Sequence, residues 1–149
     1  MKRAICHESG HAVVALYLGF HVVKFEVSEG FPKVICDLDC LQKTQEERCI
    51  VLAGGIASET LCYGNFDRQA SGRDQNMITQ NRGGTIDSYL PQALSILRSN
   101  KSCLRRFRER LTIAWVKAAA ESAFDSVTHS FELLSQVEIE DIWKTCQTR

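Results

Sequence analysis

His7-Glu8-Ser9-Gly10-His11-Ala12-Val13-Val14-Ala15-Leu16-Tyr17-Leu18-Gly19 is the most telling run of this chain. Imidazoles at i and i+4 share one helical face about one turn apart. Both ring nitrogens can therefore reach a single ion at about 2.0–2.1 Å. Glu8 sits beside that pair rather than on the ion, where a carboxylate can take a proton from a water at an open fourth position. A pentapeptide with three defined positions also arises by chance in ordinary helices. The flanking residues argue for a site: Ala12 to Leu16 and Leu18 make a helix apolar on nearly every side, stopped by Gly19 where left-handed backbone is wanted. Such a helix is buried, and buried histidines require polar partners or a metal.

Toward the N-terminus, Met1-Lys2-Arg3-Ala4 leads directly into the motif. The basic start imitates a signal peptide, but cleaving it would remove both histidines, so the expectation is neither signal nor membrane anchor and a cytoplasmic protein. No apolar run reaches the eighteen residues that a spanning helix needs. The 18 basic and 18 acidic residues cancel, which disfavours nucleic acid or an anionic membrane as partner. A length of 149 residues suits one domain, 1–149, with a real core.

Beyond Gly19, residues 21–28 alternate, with Val23, Phe25 and Val27 against Lys24 and Glu26, the period of a half-buried strand. Residues 34–38 can pair with it across a turn at Glu29-Gly30-Phe31-Pro32. An exposed strand beside the motif helix could bind an extended peptide along its edge, or could merely cover the core. From about 44 to 63 the pattern is helical, interrupted by Gly54-Gly55. Each glycine costs about 1 kcal/mol in a helix relative to alanine. Close packing of another helix explains them, the motif helix being the natural neighbour, and it would bring Glu59 toward the site.

The third ligand is less determined. In Ala70-Ser71-Gly72-Arg73-Asp74, Ser71 can cap a new helix with Asp74 in its first turn. Asp74 is the leading candidate. It could also be a simple dipole partner, and spacing alone leaves Glu59 and Glu29 as alternatives. His21 lies near enough in sequence to have some claim on the site. His129 reads as a loop or surface residue.

The seven cysteines are odd in number and form no Cys-x-x-Cys pair, which suggests mostly buried thiols rather than a disulfide framework. Cys36 and Cys40 are a weak candidate for a second metal site, while Cys6 should point off the ligand face. The C-terminal half is helical over 88–97 and about 102–124, with Leu104, Phe107, Leu111, Ala114, Trp115 and Ala118 at helical spacing. Arg105, Arg106, Arg108 and Arg110 read as a solvated face, offset by Glu109, Glu121 and Asp125. Ser135-Gln136-Val137-Glu138 is a capping box opening a last helix through Ile142 and Trp143.

Taken together, His7-Glu8-Ser9-Gly10-His11-Ala12, Ala53-Gly54-Gly55-Ile56-Ala57-Ser58-Glu59 and Ala70-Ser71-Gly72-Arg73-Asp74 resemble, in order and separation, the peptidase domain of the FtsH family of ATP-dependent zinc metalloproteases. The resemblance spans about half the chain. It implies a mainly α domain with a small β-hairpin or sheet, Zn2+ held by His7, His11 and Asp74, Glu8 as catalytic base, and hydrolysis of peptide bonds. Two departures stand out: Ser9 replaces the family's alanine, and Arg73 replaces the asparagine before the ligand aspartate. No Gly-x-x-x-x-Gly-Lys-Ser/Thr loop occurs in these residues. The expectation is accordingly a metalloendopeptidase without its own ATPase, acting on peptides or unfolded segments, with homo-oligomerisation and a separate ATPase partner left open. The alternative is a non-catalytic peptide-binding module, or an interaction subunit that docks onto an ATPase or a full-length relative.

Overall fold

A computed structural model of the chain describes residues 1–82, 84–121 and 131–148. Its architecture is α+β: mainly helical, with one three-stranded antiparallel sheet. The motif helix, α1 (Lys2–Tyr17), lies at the centre and buries an unbroken run from Ala12 to Ala15 together with Ile5, Cys6, His7, Ser9, Gly10 and His11. It ends as its sequence predicts. Gly19 takes φ +77°, its N–H donates to Leu16 O, and the N–H of Phe20 donates to Ala15 O. That pair of bonds is a Schellman cap, and glycine carries no Cβ penalty at the left-handed position.

The chain then forms β1 (Val22–Ser28) and β2 (Phe31–Cys36), and the sheet order is β2-β1-β3. The turn is tighter than expected. Glu29 and Gly30 alone occupy it, both with positive φ, which suits the twist of a two-residue hairpin. Phe31 and Pro32 belong to the strand, Phe31 pairing with Ser28 and Pro32 with Val27. Proline is tolerated because β2 is an edge strand. The register shifts between Val22 and Lys24, so Val22 is buried while Val23 is only partly so. The expected alternation therefore fails at its first member; Phe25 and Val27 are buried as expected, but so is Glu26 between them, paired with Lys24.

Helix α2 (Gln45–Tyr63) starts at a capping box in which Thr44 and Glu47 exchange hydrogen bonds, and stops at Gly64 in the left-handed conformation. It runs antiparallel to α1: the contacts pair His11 with Val51, Gly10 with Gly54, Cys6 with Ser58, and Arg3 with Glu59 and Asn65. The glycines have the predicted cause. A Cβ on Gly54 would lie 2.8 Å from the Gly10 carbonyl oxygen, and one on Gly10 would overlap the Gly54 carbonyl. After α3 (Gly72–Arg82) and a 3-10 turn (Ile86–Ser88) come α4 (Leu90–Ser99) and α5 (Lys101–Ala120). Leu104, Phe107, Leu111 and Ala118 of α5 are buried, and Ala114 and Trp115 pack against the core. Strand β3 (Phe131–Leu134) adds to β1, and α6 (Gln136–Gln147) opens with the Ser135–Glu138 capping box. Phe124, Asp125 and His129 lie outside the described residues. Among the described residues, no helix is long and apolar enough to cross a membrane.

Candidate metal centre

The α1 face that carries His7 and His11 points at α2 and α3. His7 Nε2 lies 3.0 Å from His11 Nε2 and 2.9 Å from Asp74 Oδ2, and His11 Nε2 lies 3.3 Å from the same oxygen. The three atoms thus form a small triangle. Tetrahedral bonds of about 2.0–2.1 Å place ligand atoms roughly 3.3 Å apart. Gly55 makes room for the triangle, since a Cβ there would overlap Nε2 of His7 and come within 2.6 Å of Nε2 of His11.

Neighbouring groups determine the tautomers. His7 Nδ1–H donates to Glu59 Oε1 at 2.7 Å, and His11 Nδ1–H donates to the Val51 carbonyl at 2.8 Å. A carbonyl can only accept, so His11 carries its proton on Nδ1 and presents a lone pair at Nε2. With both rings neutral, two lone pairs and a carboxylate oxygen converge on one point, and a cation, proton or metal ion, relieves their repulsion. Two imidazoles and a carboxylate are a borderline donor set suited to zinc, and the outer bonds to Glu59 and Val51 are of the kind that orients metal-binding histidines.

Neither a protein-family model nor a curated protein matches this chain.

The ionisation of the cluster has the same sense as its geometry. Burial opposes a charged His7, but hydrogen bonds to Asp74 and Glu59 outweigh it and lift the imidazole to about 10. Burial likewise opposes charge on His11, and the Asp74 carboxylate overcomes it and raises the ring. Asp74, despite burial, is held well below the usual carboxylate range by the two histidines. The pocket therefore stabilises positive charge, whether a proton or a metal ion supplies it.

Glu8 is half-buried, and desolvation raises its carboxyl above the usual value. Its Oε2 accepts the Val34 backbone N–H at 2.7 Å, so the outer edge of β2 runs along the site. Ligand atoms of His7, Glu8 and His11 all lie within 4.8 Å of one another. By proximity Glu8 competes with Asp74 as third ligand, but Asp74 closes the tighter triangle and Glu8 is engaged by β2. The cleft over these groups has a volume of about 840 Å³, lined on one side by Phe31 to Cys36 and on the other by Ala70, Arg73, Asp74 and Met77.

Several expectations change here. Glu59 does not join the triangle. It is 1% exposed and lies behind His7, where Arg3 Nη1 and the Asp67 N–H also donate to it. Glu29 is exposed at the hairpin tip, φ +52°, at the mouth of the cleft. His21 is exposed and does not line the cleft, because the chain has already turned away at Gly19. Ser71 does not cap α3: its Oγ is buried without a hydrogen bond, whereas Asp67 Oδ1 accepts the N–H groups of Gln69 and Ala70. Among the described residues, His7, Glu8 and His11 form a His/Cys/Asp/Glu group with metal-ligand spacing, Asp74 reaches both of its imidazoles, and Cys36 and Cys40 do not enter it. Three cysteines of the seven are buried, Cys6, Cys49 and Cys103. The roles of Arg3, Val51, Asp67 and Val34 left no local signal, since the last three act through the backbone and all depend on tertiary approach.

Proposed function

We propose that this chain is a zinc-dependent metalloendopeptidase domain of FtsH type, with His7, His11 and Asp74 holding the metal and Glu8 acting as catalytic base. The observation that carries the reading is the convergence of Nε2, Nε2 and Oδ2 within 3.3 Å, with Glu8 alongside. A bound zinc would supply Lewis acidity, polarising a carbonyl and making water acidic enough to react near neutral pH. Glu8 accepts the proton of the attacking water and returns it to the leaving amine, roles to which a carboxyl raised by burial is better matched than an ordinary one. Glu59 and Val51 keep both imidazoles turned toward the cleft. The outer edge of β2, where the Val34 N–H meets Glu8, offers its remaining backbone groups to an extended peptide, so substrates are peptides and unfolded segments rather than folded domains.

The test is cleavage of casein by the zinc-loaded chain beside Glu8→Gln, with zinc content and circular dichroism measured on both. Activity in the parent and its loss in a folded, zinc-containing variant supports the proposal. Equal inactivity of both, with zinc bound and the fold intact, replaces it with a peptide-holding module.

A further inference from the structure

Most carboxylates that line the cleft already have partners. Glu8 accepts the Val34 N–H, Asp74 meets both imidazoles, Glu59 holds His7 and Arg3, and Asp67 accepts the N–H groups of Gln69 and Ala70. The cations differ. Arg73 of α3 and Lys33 of β2 line opposite walls, and among the described residues neither side chain has a hydrogen bond or an ion pair. Glu29 also lacks a partner among the described residues, but it stands at the hairpin tip, at the mouth of the cleft. The unpaired charge next to the metal centre is therefore positive, although the chain as a whole is neutral. The position of Arg73 has no cause within its own helix. It is exposed in the first turn of α3, where the helix dipole disfavours a cation, and the adjacent Asp74 turns to the histidines instead.

We propose that Arg73 selects peptides that carry an acidic side chain within about two residues of the bond that is cut. The guanidinium presents parallel N–H groups that suit a carboxylate, whereas Lys33 across the cleft adds to the same potential as a point charge. Consecutive Cα atoms lie about 3.8 Å apart and an extended peptide advances about 3.3 Å per residue. A side chain one residue from Asp74 thus meets substrate positions close to the metal-binding groups. A lysine or arginine in the same substrate position meets a like charge and is rejected. The inference rests on the peptidase reading for its effect on cleavage, but its effect on binding does not.

The test uses fluorogenic peptides in which Glu, Gln or Lys is placed in turn at each position of an otherwise neutral sequence. Cleavage by the zinc-loaded chain is measured, with cut sites mapped by mass spectrometry. Binding of the same peptides to Glu8→Gln is followed by fluorescence anisotropy. At low salt, Glu near the cut site should raise kcat/KM about fivefold over Gln, and the ratio should shrink as salt is added. Arg73→Gln should erase the preference and Arg73→Glu should turn it toward Lys, with circular dichroism and zinc content confirming the fold and the metal. The same order of affinities without any cleavage upholds the acidic preference and removes the catalytic reading. Cleavage that treats Glu, Gln and Lys alike overturns the preference and leaves the catalytic reading standing. A preference that survives Arg73→Gln and disappears in Lys33→Gln also overturns the assignment to Arg73.

Discussion

Gly55 of α2 lies so close to His7 of α1 that a methyl group on its α-carbon would overlap the imidazole Nε2. The helix gives up about 1 kcal/mol of propensity at this glycine, and the ligand triangle occupies the space. Gly55→Ala should therefore run opposite to propensity. Overpacking costs typically 1–3 kcal/mol, exceeding the propensity gain, and zinc affinity should fall at least tenfold as the ring is displaced. Chelator competition and urea unfolding read the two effects separately. An alanine variant that binds zinc normally and is more stable than the parent would show that the imidazoles do not need this space.

Asp74 and Glu59 are both acids touching His7, on opposite ring nitrogens. Glu59→Gln retains an acceptor for Nδ1–H and should lower zinc affinity by roughly 10–100-fold, as loss of an outer partner does. Asp74→Ala removes a donor from the triangle and should lower it further, with the fold retained. Isothermal titration of both variants decides the order, and the reverse order exchanges the two roles.

The pH dependence of the chelated chain follows from the shifted groups. His7, raised from 6.5 to about 10, contributes stability that is fully present below 6.5 and is lost as pH rises toward 10. The raised His11 and Glu8 slope the same way. Asp74, depressed, contributes stability above its ordinary 3.8 that is lost on acidification. Urea midpoints for the metal-free chain should thus be higher at pH 6 than at pH 9. Zinc should remove that fall, because the imidazoles then hold an ion rather than a proton and binding strengthens as pH rises. Equal metal-free midpoints at the two pH values would contradict the assignment.

Thr44 caps α2 far from Glu59, through its hydroxyl and the Glu47 carboxylate. Thr44→Ala should cost about 1 kcal/mol of stability and leave zinc affinity unchanged. A parallel loss of affinity would mean that fraying of the first turn reaches Val51 and the His11 ring.

Much of this arrangement is legible in the sequence because its causes are local. The cap at Gly19, the helix from 45 to 63 and the Ser135 box all follow from a few adjacent residues. The Gly54-Gly55 pair is legible for a different reason: two glycines inside an apolar helix need an external cause. Strand β3 is not foreseen, since Phe131-Glu132-Leu133-Leu134 lacks alternation and becomes a strand only by pairing with β1. Val23 fails because a register shift turns the strand at that point. At the site, the histidine spacing is enough to bring the two imidazoles together. The choice among Asp74, Glu59 and Glu29 depends on where α2 and α3 meet α1, which single-residue spacing does not encode.

The bonds from His7 to Glu59 and from His11 to the Val51 carbonyl have a thermodynamic corollary for metal uptake. Ring orientation belongs to α2, so the conformational entropy of aligning the donors is lost when the chain folds and not when the ion arrives. A metal bound there would meet a preorganised site, unlike that of a small zinc finger, whose metal and fold form together. Chelation should empty it without unravelling the helices around it.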